Sequence, residues 1–598
     1  VLKLNITQAK TMVDKIIHYH DPPIFGDWQN KITLLGDDED NGIHAFDSET
    51  AFNYVNQQEP VYNINKIFPD SYVQKSFGSG EKYPEVNLAI TKAFEQGTLV
   101  FNYIGHGGPS GMASERVVTR DEIRNWDNYD RLALMVTATC ELSRFDDPSV
   151  DSPGELMLFN NNGGAIALVT TMRLVYISLN RQISARIWDD NIVKLNGGVQ
   201  YLGETFINSK NRSSQAVNLR NFSLLGDPAM KLAIPEHQVV TTKISSSLND
   251  SINIDTLNAF SRIKISGEIQ KLDGTFDPTF NGVVTSTVYD KFFEYQTLVN
   301  DEQSIVVPFK LQNSIIYRGK ASVTGGKFSF QFVVPKDISY NYGFGKISYF
   351  AKNETIDATG FDTTIVIGGS SSSKIEDNEG PKIDLYLNDK SWVFGGTSNP
   401  TPLIICNVFD VNGINTVGNG IGRDITAIID AGTQNEKIIV LNEYYEANLN
   451  SYQEGTIEYK LEKLSPGRHT LLIRVWDVYN NASEDHTEFL VVGNEVLSIN
   501  NLLNFPNPFT SSTTFHFDHN KSGQTLNVLI RIITPTGRIV KTFETTEFQS
   551  NSHFDKIVWN GKDEFGGQLA RGVYLYKISL KSEDGQFAES TQKLYLVK

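Results

Sequence analysis

Two side chains able to form a thiolate–imidazolium pair lie 34 positions apart in this sequence: His106, in VFNYIGHGGPS, and Cys140, closing LALMVTATC. An imidazole beside a thiol stabilises the thiolate, which is the nucleophilic form, and then protonates the leaving amine. Each residue follows an apolar run that reads as a strand, and each therefore sits just past a strand's carboxyl end, where open α/β sheets bind their ligands. Gly105, Gly107 and Gly108 flank the histidine and permit close approach of a substrate. Backbone N–H groups at Gly107 and Cys140 are the candidate oxyanion hole for a tetrahedral intermediate. The second thiol, Cys406, lies inside the apolar run PLIICNVFD and reads as a core residue; with only two cysteines, no disulfide framework is available. His18, His20 and His44 lack metal-ligand spacing, and no metal is assigned to them.

The elements that must position this pair are legible in the alternation of strands and helices over residues 1–235. ITLLG, TLVFNYIG, LALMVTAT and GAIALVTTM read as strands, and PEVNLAITKAFEQG as an amphipathic helix. The later strands are nearly continuous apolar runs, the mark of a parallel sheet covered on both faces. Thr119 with Glu122, and Ser152-Pro153 with Glu155, are capping boxes that start helices after a strand and its loop. From 236 onward the pattern becomes alternating strands with Gly, Asn and Asp turns. The polar stretch GGSSSSKIEDNEGP, residues 368–381, and a break near Gly493 divide this part into β-rich candidates at 236–367, 381–493 and 496–598. The expected fold class is thus multidomain, an α/β domain followed by Ig-like β-sandwiches.

At 598 residues the chain exceeds what a single core supports, and its net charge of −17 excludes a nucleic-acid partner, which would require a concentrated Lys/Arg surface. No apolar run reaches the about 18 residues that suggest a membrane-spanning helix. The start at Val1, with neither Met nor signal peptide, leads to the expectation of a processed or longer product. Asp146, Asp147, Asp151 and Glu155, just after Cys140, are read as helix N-terminal charge, ahead of a specificity pocket or a calcium site.

YIGHGG and TATC resemble the gingipain family of caspase-like cysteine peptidases, where a Gly-His-Gly strand end precedes a strand ending Ala-Cys. The resemblance extends through GGAIALVTTM and LLGDPAM, about the first 235 residues. It implies a cysteine endopeptidase with Cys140 and His106 as its catalytic pair. It also implies a carboxylate after an early strand that orients the histidine; LLGDDEDNG offers Asp37, Asp38, Glu39 and Asp40, and Asp38 is the position chosen. The same acidic loop could instead be solvated or hold calcium. No cofactor is required, a structural calcium is the one ion entertained, and the metal content is otherwise unknown. Residues that select Arg or Lys in the family are not recognisable here.

At the other end, NFPNPFTSSTTFHF, ITPTGRIVK, WNGKDEFGGQLARGVYLYKI and KLYLVK resemble the C-terminal sorting domains of type IX secretion cargo in Bacteroidetes. Together the two resemblances imply a surface signal peptidase of that system, which removes cargo sorting domains through an acyl-thioester and transfers cargo, sortase-like, to anionic lipopolysaccharide. The implied partners are the outer-membrane β-barrel PorV, further attachment-complex subunits, and the cargo proteins. The implied location is the extracellular face of the outer membrane, peripherally attached. A secreted digestive protease and a non-catalytic adhesin or assembly subunit are the alternatives.

Overall fold

The computed structural model describes the chain apart from residues 1–4, 21–23, 79, 190–191, 196–199, 214–215, 252, 303, 372–376, 418–422, 492–496, 522–523, 550–551, 584 and 598; side chains of 178–179 and 216–218 are also outside it. It falls into two compact units, one of residues 1–374 with 449–451 and one of 375–448 with 452–598. The break read near Gly493 and part of the 368–381 linker lie outside the described residues.

In the first unit, six strands form the α/β sheet: β1 (Lys31–Gly36), β2 (Asn63–Ile67), β3 (Val100–Ile104), β4 (Ala133–Ala138), β5 (Ala165–Thr171) and β6 (Phe222–Leu225). Their order is β6-β5-β4-β3-β1-β2, and all pairs are parallel except β5 with β6. β4 and β5 are buried at every position, which accounts for their unbroken apolar sequences. Alternate residues face two separate cores. Ile32, Leu34, Leu134 and Val136 point to one, with Phe52 and Val55 of α2 (Ile43–Gln58) and Ile183 and Ile187 of the helix Ile177–Asp189. Leu35, Phe101, Ala133 and Met135 point to the other, with Val86, Ile90 and Phe94 of the helix Pro84–Gln96. Burial of each such side chain stabilises the domain by about 1.5–3 kcal/mol.

The helices Arg120–Asn125 and Pro153–Phe159 begin where the sequence places them. Glu122 Oε2 accepts from Thr119 N at 2.6 Å, and Glu155 Oε2 accepts from Ser152 N at 3.0 Å. At the far end of the second helix, the buried Lys15 ammonium donates to the carbonyls of Met157 and Leu158 at 3.1 and 2.9 Å, satisfying groups a helix C-terminus leaves unpaired.

Also in the first unit, a seven-stranded sheet running from His237 to Asp362 and a three-stranded sheet ending at Ser370 form the β domain. From it projects a two-stranded arm, Phe293–Gln296 with Pro308–Leu311. The arm packs Val307 and Phe309 against Ala45 and Phe68 of the α/β domain. Asp70 anchors it further, its carbonyl accepting from Leu298 N at 2.6 Å and its carboxylate from Asn300 N at 2.7 Å. In the second unit, four- and five-stranded sheets between Lys382 and Val491 enclose one core that contains Cys406. Burial raises that thiol's pKa to about 12, as expected of an inert core cysteine. Two four-stranded sheets between Ile499 and Leu596 enclose another core.

Gly164 enters β5 with φ +88°, and a Cβ there would fall 2.1 Å from the Met157 carbonyl oxygen. Gly164→Ala should destabilise the α/β domain by about 2–4 kcal/mol, read as a lowered midpoint of its calorimetric transition.

Candidate active site

Parallel pairing of β3 with β4 sets the site. Ile104 is registered with Ala138, and Gly105 N donates to Ala138 O at 3.3 Å. His106 and Cys140 therefore each lie two residues beyond the same rung, on strands about 4.8 Å apart. The imidazole is 41% exposed and the thiol partly buried, so both are open to a substrate laid across the sheet edge.

The backbone of His106 is held by Asp37, one of the four carboxylates the acidic loop offers and not the one chosen from sequence. Asp37, 1% exposed, accepts from His106 N at 2.7 Å, and its Oδ2 lies 3.3 Å from Tyr103 OH. Tyr103 OH also donates to His106 O and accepts from Ala113 N at 3.1 Å. Gly105 is required between them, since a Cβ there would lie 2.4 Å from Asp37 Cβ. Burial and the neighbouring Asp38 charge raise the Asp37 pKa well above its ordinary value. The signal was a Tyr at an inward-facing strand position, a pattern shared with ordinary core tyrosines.

The carboxylate that meets the histidine ring is Asp40, whereas the position chosen from sequence was Asp38. Asp40 Oδ2 lies 2.7 Å from His106 Nε2, with Glu39 Oε2 at 3.3 Å. Asp38 instead turns under Tyr83, whose hydroxyl donates to Oδ2 at 2.7 Å. The cause is a backbone turn: Asp40, Asn41 and Gly42 all adopt left-handed φ, at 58°, 55° and 71°. That conformation costs an L-residue about 1–2 kcal/mol, and it swings Asp40 back toward the ring. His44, 2% exposed, places Nε2 3.3 Å from the same Asp40 oxygen and meets His106 edge-on at 5.5 Å. Desolvation opposes ionisation of Asp40, but its hydrogen bond to His106 and the two nearby imidazoles outweigh it and hold the carboxyl below its ordinary pKa. Burial, reinforced by His106, lowers the pKa of His44.

Around the nucleophile, both polar contacts of Cys140 Sγ among the described residues are with Val175, its N and O each at 3.5 Å. The next residue, Glu141, has φ 50°, a strained turn that brings the chain sharply off β4. Ser143 N donates to Thr171 O at 3.0 Å and Gly154 N to Leu142 O at 3.1 Å, pinning this turn between β5 and the following helix. Asp146 and Asp147 do not serve that helix's N-terminus: Asp146 pairs with the Arg173 guanidinium, and Asp147 binds Ser149 N at 3.0 Å. Only Glu155 occupies the helix's first turn. For the candidate oxyanion hole, Ala113 N donates to His106 O at 2.9 Å, and Gly107 is the next residue, opposite Met112. By antiparallel alternation Gly107–Met112 is the non-hydrogen-bonded pair, so the Gly107 N–H points away from its hairpin.

Two groups of side chains here have the spacing of ion ligands. Asp37, Asp38 and Glu115 are all buried, and Asp37, His44 and His106 form an overlapping set. Oxygen-only donors such as the first suit a hard cation like calcium. Burial and the Asp38 charge push Glu115 up to about 7, so the group also persists with a shared proton.

Residues 3–233 match the family model described as Peptidase family C25. No curated protein matches the chain. Among solved structures, latent PorU from Porphyromonas gingivalis is 22% identical with a TM-score of 0.30, over 95% of this chain and 64% of that one. The chain thus spans less than two thirds of that structure's length. The Arg-specific cysteine proteinase gingipain R is 14% identical with a TM-score of 0.33, over 61% of this chain and 73% of that one. The likeness to peptidase family C25 is thus one of residues 3–233, the segment that carries His106 and Cys140.

Proposed function

We propose that the chain is a cysteine endopeptidase that removes C-terminal sorting domains from type IX secretion cargo, as a counterpart of PorU. The observation that carries the peptidase reading is the common level of His106 and Cys140 on adjacent parallel strands. Cys140 Sγ adds to the scissile carbonyl, and the Gly107 and Cys140 N–H groups receive the developing oxyanion. As the C–N bond breaks, the departing amine takes a proton from His106, leaving the acyl group as a thioester on sulfur. Because Nε2 is turned to Asp40, Nδ1 is the nitrogen that carries this proton. Water or an amine then adds to the thioester carbonyl, gives its proton to His106 and releases the thiolate. With a lipopolysaccharide amine as acceptor the step is sortase-like. Residues 496–598 would dock the enzyme on PorV at the cell surface, beside further attachment-complex subunits.

Cys140→Ala replaces a small thiol with a small apolar group, so the fold should persist while acyl-enzyme formation stops. Intact masses of cargo from cells carrying this variant should retain their sorting domains; normally trimmed cargo would return the chain to a digestive protease or an inert scaffold. The third residue is separable by kinetics. Asp40→Asn should lower kcat/KM by about 10²- to 10⁴-fold through loss of the imidazole's orienting carboxylate. Asp38→Asn, which does not touch the ring, should cost less than about 10-fold on the same substrate.

A further inference from the structure

The C-terminal sandwich carries a second cluster of chemistry-bearing side chains, remote in sequence from the peptidase site. Strand Thr513–His519 pairs antiparallel with His553–Phe554, Asp518 opposite His553 and Phe517 opposite Phe554. Continuing that register sets His516 opposite Asp555. Side chains alternate along a strand, so Phe515, Phe517 and Phe554 fill the core while His516, Asp518, His553 and Asp555 share the outer face.

On that face, His553 Nδ1 lies 2.7 Å from Asp518 Oδ1, and Asp518 Oδ2 accepts from Asn501 Nδ2 at 2.6 Å. An aspartate so placed accepts a hydrogen bond from Nδ1–H and leaves Nε2 with its lone pair. This is the carboxylate–histidine arrangement that orients imidazole ligands on metals. The Nε2 atom is 3.5 Å from Nδ1 of His516. That separation is long for a hydrogen bond. It matches two nitrogens bound at about 2.05 Å to one tetrahedral ion, which stand ~3.3 Å apart. Asp555 supplies a carboxylate oxygen within 4.8 Å of a ring nitrogen of each histidine.

We propose that His516, His553 and Asp555 bind a divalent transition ion of the zinc class, with Asp518 positioning His553 and one coordination place left to water. Two imidazoles and a carboxylate suit zinc and disfavour calcium, which takes oxygen donors. The bound ion would tie the two-residue strand His553–Phe554 to its longer neighbour, adding a cross-link where the sheet has few ladder bonds.

The test uses the tag-free full chain carrying His106→Ala and Cys140→Ala, so that neither that imidazole nor that thiol contributes a ligand. After chelation and buffer exchange it is titrated with Zn²⁺ by calorimetry and with Co²⁺ by visible absorption. One tight equivalent, with the intense d–d bands of a four-coordinate cobalt site, is expected. His516→Ala or His553→Ala should weaken that equivalent by at least ~100-fold, and Asp518→Asn by about 10–100-fold with both imidazoles still present. Unchanged zinc affinity in His553→Ala, or a cobalt spectrum of six-coordinate intensity in the parent, overturns the proposal. Should an alanine variant lose its circular-dichroism signature, Asp555→Asn and the parent's cobalt spectrum still decide it.

Discussion

The geometry of the candidate active site depends on one parallel ladder. With Ile104 level with Ala138, the ends of β3 and β4 deliver His106 and Cys140 to the same height above the sheet. A slip of one residue would reverse the side-chain faces of a whole strand, exchanging Phe101 and Tyr103 for Val100 and Asn102 in the second core. Because β4 is buried on both faces, that slip is strongly disfavoured, and the site inherits its precision from core packing. The candidate pair is thus placed by strands and tuned by the loops that follow them.

Within that frame, two neighbouring aspartates do different work. Asp37 fixes where the histidine backbone sits, through its 2.7 Å bond from His106 N; Asp40 fixes how the ring is turned, through its contact at Nε2. The separation of roles follows from their surroundings. Asp37 is buried in a cage of Tyr103 and the 105–106 backbone, whereas Asp40 rides on a left-handed turn at the surface. Sharing one Asp40 oxygen between His106 and His44 orients the carboxylate from two sides, so the ring is not free to pivot away from the sheet edge.

What sequence could convey divides along the same line. Features set by local periodicity were legible: the buried runs of β4 and β5, the two capping boxes, the change to alternating strands after residue 235, and the core position of Cys406. The acidic loop was legible as the source of a carboxylate near His106, but not which member meets the ring. That choice turns on the φ values of Asp40 and Asn41, and neither residue type demands a left-handed conformation. For the same reason Asp146 and Asp147 read as helix charge: their partners, Arg173 and Ser149, are decided by how the loop folds back. His44 was set aside for want of metal spacing, and it emerges as a neighbour of His106 only once α2 is packed against the sheet.

The arm from the β domain extends this logic beyond the peptidase fold. Gly42, third in the left-handed run, has Val307 so close that a Cβ would stand 2.6 Å from it, and Ala45 packs in the same small cluster as Val307 and Phe309. A strained turn persists only where its surroundings over-determine it. Here the surroundings on one side are α2 and on the other a hairpin belonging to a different sheet system. The carboxylate that orients His106 is therefore held by contacts from residues 293–311 as well as by the peptidase domain. It follows that the β domain is part of the device that holds Asp40 against His106, and that residues 1–235 carry the candidate groups without carrying all of what positions them.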